Sequence, residues 1–163
     1  MSLGRIEHNI MAVLELLMSV EENLSMLYSR LRFLSKDPRH KMIFGYLSME
    51  SLSHRIFLEE LLEHNLDKYK TSLEEFKDVI EVLGKSFRDV RDLYIRSFET
   101  YELRQLIEIA MKLENIIKDL LATYSVLQEF HKDDEEVLKI LNLLTEDSSR
   151  HLDILRSFVS NSK

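Results

Sequence analysis

Two stretches of the chain, GYLSMESLSHRIFLEELL at residues 45–62 and LNLLTEDSSRHLDILRSF at residues 141–158, put a histidine where helical periodicity asks for a core side chain. His54 shares a face with Leu47, Leu58 and Leu61, and His151 shares one with Leu144, Leu155 and Phe158; a serine, Ser51 or Ser148, stands one turn before each. A lone imidazole on an apolar stripe is more often a hydrogen-bonded core residue than a ligand. At neutral pH, however, imidazole also holds metal ions and passes protons. Two of them at matching places point to a site.

Each histidine has a glutamate to go with it. Setting VEENLSMLYSRL over LENIIKDLLATY pairs Val20 with Leu113, Glu21 with Glu114, Leu24 with Ile117, Leu27 with Leu120 and Leu31 with Tyr124, at an offset of 93 residues. Sliding by one, to match Glu22 with Glu114, destroys the apolar register. Setting ESLSHRIFL over DSSRHLDIL pairs Glu50 with Asp147, Ser51 with Ser148 and His54 with His151, at an offset of 97 residues that the longer turn HKDD absorbs. Glu21 and Glu114 have apolar neighbours one turn away on both sides. A carboxylate buried without a partner costs several kcal/mol, so both need one, and a metal ion is the simplest. Glu50 and Asp147, four places before their histidines, lie about 40° to one side of them, whereas a residue three places before lies about 60° to the other. They either rebuild a ligand from a new direction or sit at the bundle edge, bonded to their own histidine or to water.

The elements that must position these residues are helices. Apolar spacing marks one from about 5 to 35, a second from 38 to 64 opened by Asp37 as N-cap and Pro38 in the first turn, a third from 100 to 130 and a fourth from 134 to 160. Within the connection 66–99, Ser72 and Glu75 form a capping box for a short helix near 72–83 that Gly84 ends, with a weaker helical pattern near Val90 and Tyr94. Two short-linked pairs joined by a long connection describe an all-α, ferritin-like four-helix bundle with one long crossover containing a short helix. The whole of 1–163 reads as one domain, with repeats 1–65 and 100–163. Three glycines and one proline in 163 residues, 45% of them hydrophobic, agree with an all-helical chain.

Composition also excludes. A net charge of -7 opposes nucleic acid and anionic membrane as partners. No apolar run reaches a membrane-spanning length, so neither a transmembrane helix nor a signal peptide is expected, and the reading is cytoplasmic. With no cysteine there is no disulfide, thiolate nucleophile or iron–sulfur cluster, and any metal is held by Glu, Asp and His. The remaining histidines, His8, His40, His64 and His131, carry no comparable pattern, and the seven methionines read as core packing.

Apart from the connection, nearly the whole chain resembles the rubrerythrin-like branch of the ferritin superfamily. That family holds two iron or manganese ions with one Glu from each first helix and a Glu-x-x-His from each second. Carried over, the resemblance makes Glu21 and Glu114 the lone glutamates and His54 and His151 the histidines. The bridging glutamates are replaced by Ser51 and Ser148, and Ile117 stands where rubrerythrins carry a further glutamate. Two divalent ions would bring four positive charges to two carboxylates. Three functions follow. One is a metal-binding protein with an altered site, a mononuclear Fe, Mn or Zn centre on Glu21, His54, Glu114 and His151. Another is a peroxide- or oxygen-handling di-metal oxidoreductase that recruits Glu50 and Asp147 and takes electrons from an outside donor. The third is a metal-free bundle serving oligomerisation. Whether the protein is an enzyme stays open, and a homodimer is expected.

Overall fold

Every described element of the computed structural model is an α-helix. The structure describes residues 3–66, 76–129 and 135–160, with the side chains of 11–63, 83–125, 135 and 137–160; among them there is no strand. The helices are α1 (Leu3–Leu34), α2 (Pro38–Leu66), α3 (Phe76–Glu99), α4 (Leu103–Glu129) and α5 (Glu135–Ser160). Four of them begin and end within three residues of the spans read from apolar spacing. At the start of α2, Asp37 accepts a bond from the Arg39 backbone N–H at 2.8 Å, and Pro38 occupies the first turn, where its missing N–H costs nothing.

α1 is the central element. It packs on α2, α4 and α3, while α4 packs on α5 and α3. Its stripe Val13, Leu17, Val20, Leu24, Leu27 and Leu31 is buried throughout and meets Leu106, Leu113, Ile117 and Leu120 of α4 in one continuous core. α2 and α5 come together across the bundle, where the rings of Phe44 and Phe158 stack with centroids 4.9 Å apart. α2 is unusual in being apolar on two opposite faces: Phe44, Leu47, Leu58 and Leu61 are buried, yet Met42, Tyr46, Met49 and Ile56 face outward. No described helix is long and apolar enough to cross a membrane.

The connection departs from its expected form. In place of a short helix stopped at Gly84, α3 runs unbroken through Gly84 to Glu99. A mid-helix glycine costs only about 1 kcal/mol against alanine. Leu83, Val90, Leu93 and Ser97, spaced along one side of α3, are all buried, and α3 packs on α1 and α4; tertiary packing therefore carries the helix across the weak point. Its far end is held from α1, where the Arg30 guanidinium donates to the Ser97 carbonyl and, at 2.7 Å, to that of Thr100. The same guanidinium lies 4.8 Å from the Tyr101 ring centre. The capping residues Ser72 and Glu75, and the turn HKDD, fall outside the described residues.

Candidate functional site

The two glutamates come from α1 and α4, and the histidines from α2 and α5. Glu21 and Glu114 are 3% and 1% exposed, while Glu22 is on the surface, so the register pairing Glu21 with Glu114 is the one that points both inward. On the α4–α5 side, His151 Nδ1 lies 2.8 Å from Glu114 Oε1, which also accepts a 2.6 Å bond from the Tyr28 hydroxyl, and Ser148 donates to Glu114 Oε2. The α1–α2 side is built likewise but is left less complete. His54 Nδ1 lies 3.1 Å from Glu21 Oε1, whereas Glu21 Oε2 and the hydroxyl of Ser51, the counterparts of the Ser148–Glu114 bond, interact without closing to a full hydrogen bond. Tyr28, on the same helix as Glu21, serves the other half; Leu121 occupies its matching place in the repeat.

Glu50 and Asp147 do not bond to their own histidines, as one of the expectations for them had it. Each reaches the histidine of the opposite half: Asp147 Oδ2 is 3.2 Å from His54 Nε2, and Glu50 Oε2 is 3.1 Å from His151 Nε2. The cause is the facing of α2 and α5. Their imidazoles lie nearly parallel, 17° apart with centroids separated by 6.2 Å, so a carboxylate one turn back on either helix meets the outer nitrogen of the ring across from it. Two residues that sequence reasoning missed close this layer. Arg150 donates to Glu50 at 2.6 Å and pairs with Asp147 at 2.9 Å, and the Tyr46 hydroxyl donates to Glu50 at 2.5 Å. The available signal was helical spacing, since Tyr46 stands four before Glu50 and Arg150 three after Asp147.

The electrostatics follow from this geometry. Each imidazole has both ring nitrogens against carboxylate oxygens, and neutral imidazole has only one N–H to offer. A proton or another cation must therefore stand between ring and carboxylate on the second side. Burial alone would lower the pKa of His54, but the bond and charge of Glu21, with the charge of Asp147, raise it above 6.5. His151 behaves the same way: burial is outweighed by Glu114 and Glu50. Burial raises Glu21 above 4.5, opposed by the bond and charge of His54 and reinforced by the charge of Glu114. For Glu50 the burial penalty is overcome by the bonds from Tyr46 and His151 and by the His151 and Arg150 charges, and its pKa is lowered. Burial pushes the Tyr28 phenol well above 10.0, helped by the Glu114 charge, so Tyr28 remains a donor.

The donor types at the centre, two carboxylates and two imidazole nitrogens, suit a single Fe, Mn or Zn ion, and Glu21 Oε2 is a buried acceptor held only loosely, by Ser51. Among the described residues no three His, Asp or Glu side chains are gathered as a metal ion requires, so a bound ion would need the Glu21–His54 and Glu114–His151 pairs to close toward each other. A pair of ions does not fit, because Ser51 and Ser148 supply no bridging charge and the oxygens of Glu50 and Asp147 are engaged by histidine and Arg150. His40 lies apart from the centre, its ring edge-on to Phe158 at 4.8 Å; the side chains of His8, His64 and His131 lie outside those described. In comparisons with known proteins, no family model, no curated protein and no solved structure matches the chain.

Proposed function

We propose that the protein is a metal-binding bundle of ferritin-like, rubrerythrin-like type. Its interior would take one divalent ion, Fe, Mn or Zn, on Glu21, His54, Glu114 and His151, in exchange for protons those pairs otherwise share. The observation that carries the reading is the orientation of the two rings. Each turns Nδ1 to a buried glutamate and has Nε2 fixed by a carboxylate from the facing helix. Metal-binding histidines are held in this manner, the second nitrogen on a carboxylate that sets tautomer and direction. Charge supports a single ion, since one divalent cation replacing two protons leaves the centre's charge unchanged. Fe or Mn bound there would supply one-electron chemistry, and Zn Lewis acidity. The chain's own residues hold the donors, keep the centre dry and set its protons. With no cysteine to pass electrons, redox use needs an outside donor.

The test is elemental analysis of protein purified without chelator or added metal, followed by thermal unfolding of the chelator-treated protein with Fe, Mn or Zn added back. About one ion per chain is expected, with release of about two protons in weak buffer and stabilisation of about 2.7 kcal/mol at a hundred times the dissociation constant. Protein that holds no metal, and that no metal stabilises, sinks the reading. A metal-free structural cluster then takes its place, a second reading favoured by the full hydrogen bonding of Glu114 to Tyr28, Ser148 and His151.

A further inference from the structure

The outward face of α2 has more apolar surface than an isolated helix of a bundle needs. Met42, Tyr46, Met49, Ser53 and Ile56 recur at alternating intervals of four and three residues, the spacing that keeps a stripe facing a partner helix over successive turns. Met42 is 75% and Met49 71% exposed, and Leu52 lies alongside. On the neighbouring α1, Phe33 is 85% exposed as well. Charge is distributed unevenly along the same helix. Arg39 and Lys41 precede the stripe, whereas Glu59, Glu60 and Glu63 follow it.

We infer that this face binds a second copy of the chain, with the two α2 helices antiparallel about a two-fold axis through Met49. A two-fold contact is self-complementary, so residues equidistant from the axis must suit one another. About Met49 they do: Met42 comes opposite Ile56, and the basic end of each helix, with Arg39 and Lys41, lies on the acidic end of the other, with Glu59, Glu60 and Glu63, of which Glu59 also pairs with Arg55 of its own helix at 3.2 Å. A parallel pair would set like charges together. A lipid surface is a poorer occupant, because the acidic end of the face and the chain's net charge of -7 oppose anionic headgroups.

The chain has no cysteine, which makes the register directly readable. Under mild oxidation, Met49→Cys should cross-link to itself across the axis. Met42→Cys should not, but should link to Ile56→Cys when the two variants are mixed, since a disulfide forms only between α-carbons about 4.4 to 6.8 Å apart. Sedimentation equilibrium should give a dimer for the unmodified chain. Met49→Glu should raise its dissociation constant at least about a hundredfold by setting two carboxylates at the axis, with helical circular dichroism unchanged. Arg39→Glu and Glu59→Arg should each weaken the dimer, and the two together in one chain should restore it. A monomeric unmodified chain, self-linking of Met42→Cys, or a double exchange that fails to restore association would overturn the inference.

Discussion

Glu114 accepts from a tyrosine, a serine and a histidine with almost no exposure, so its charge has nowhere else to be compensated. Glu114→Gln keeps the shape and removes that charge. The pKa of His151 should then fall, readable from its imidazole shifts, and the fold should lose about 1–3 kcal/mol at pH 6 by urea denaturation. The loss should shrink at higher pH as His151 gives up its proton. The pH profile of the unaltered protein follows from the same directions. His54 and His151 are raised above 6.5, so their stabilising charges are fully present below 6.5 and are withdrawn as pH rises through the raised values. Glu21, raised from 4.5, adds to the decline, because its neutral form is the one the interior favours. Glu50, lowered from 4.5, contributes above that value and loses its contribution as pH falls through the lowered one. Stability should therefore peak on the weakly acidic side of neutrality, and His54→Gln with His151→Gln should flatten the alkaline fall. A profile rising steadily from pH 6 to 9 would contradict these assignments. Glu21, His54, Glu114 and His151 were legible in the sequence because each interrupts an apolar stripe at a repeated place. The bonds of Tyr28 to Glu114 and of Glu50 and Asp147 to the opposite histidines were not. They depend on how one helix is rotated against another, which spacing within a helix does not record.

At the scale of elements, the long helices were readable because a single stripe continues over many turns and Asp37-Pro38 punctuates it. α3 was misread at Gly84, where a local stop signal met a buried side formed by Leu83, Val90 and Leu93, and burial against α1 and α4 prevailed. A test is available at that glycine. A Cβ there would meet only the tip of Arg88, at 3.6 Å, which is ordinary contact. Gly84→Ala should accordingly stabilise the protein by about 0.4–1 kcal/mol, seen as a higher denaturation midpoint at constant slope. No gain, or a loss, would mean that α3 is bent or frayed at this position. Arg30 offers a contrasting case, being a side chain of α1 that finishes the hydrogen bonding of another helix's end. Nothing in the sequence around Arg30 marks it for that use, because its acceptors lie 67 and 70 residues away.

For the molecule as a whole, the notable feature of the centre is that its outer bonds are reciprocal. The hairpin α1–α2 lends Tyr28 and Glu50 to the hairpin α4–α5, and receives Asp147 in return. If either hairpin peeled away, it would strand a buried carboxylate or imidazole in the one left behind. Partial opening is thereby penalised on both sides, and the two hairpins should unfold as one cooperative unit. Native-state hydrogen exchange can detect this. The backbone amides of Glu21, His54, Glu114 and His151 should share a single opening free energy, equal to that of global unfolding, and should keep doing so as denaturant is added. Two separate plateaus, one for each hairpin, would show that the exchange of side chains between them does not bind their fates together. Asp147→Asn, which cancels the charge lent in return, should be the single change best able to pull the two plateaus apart.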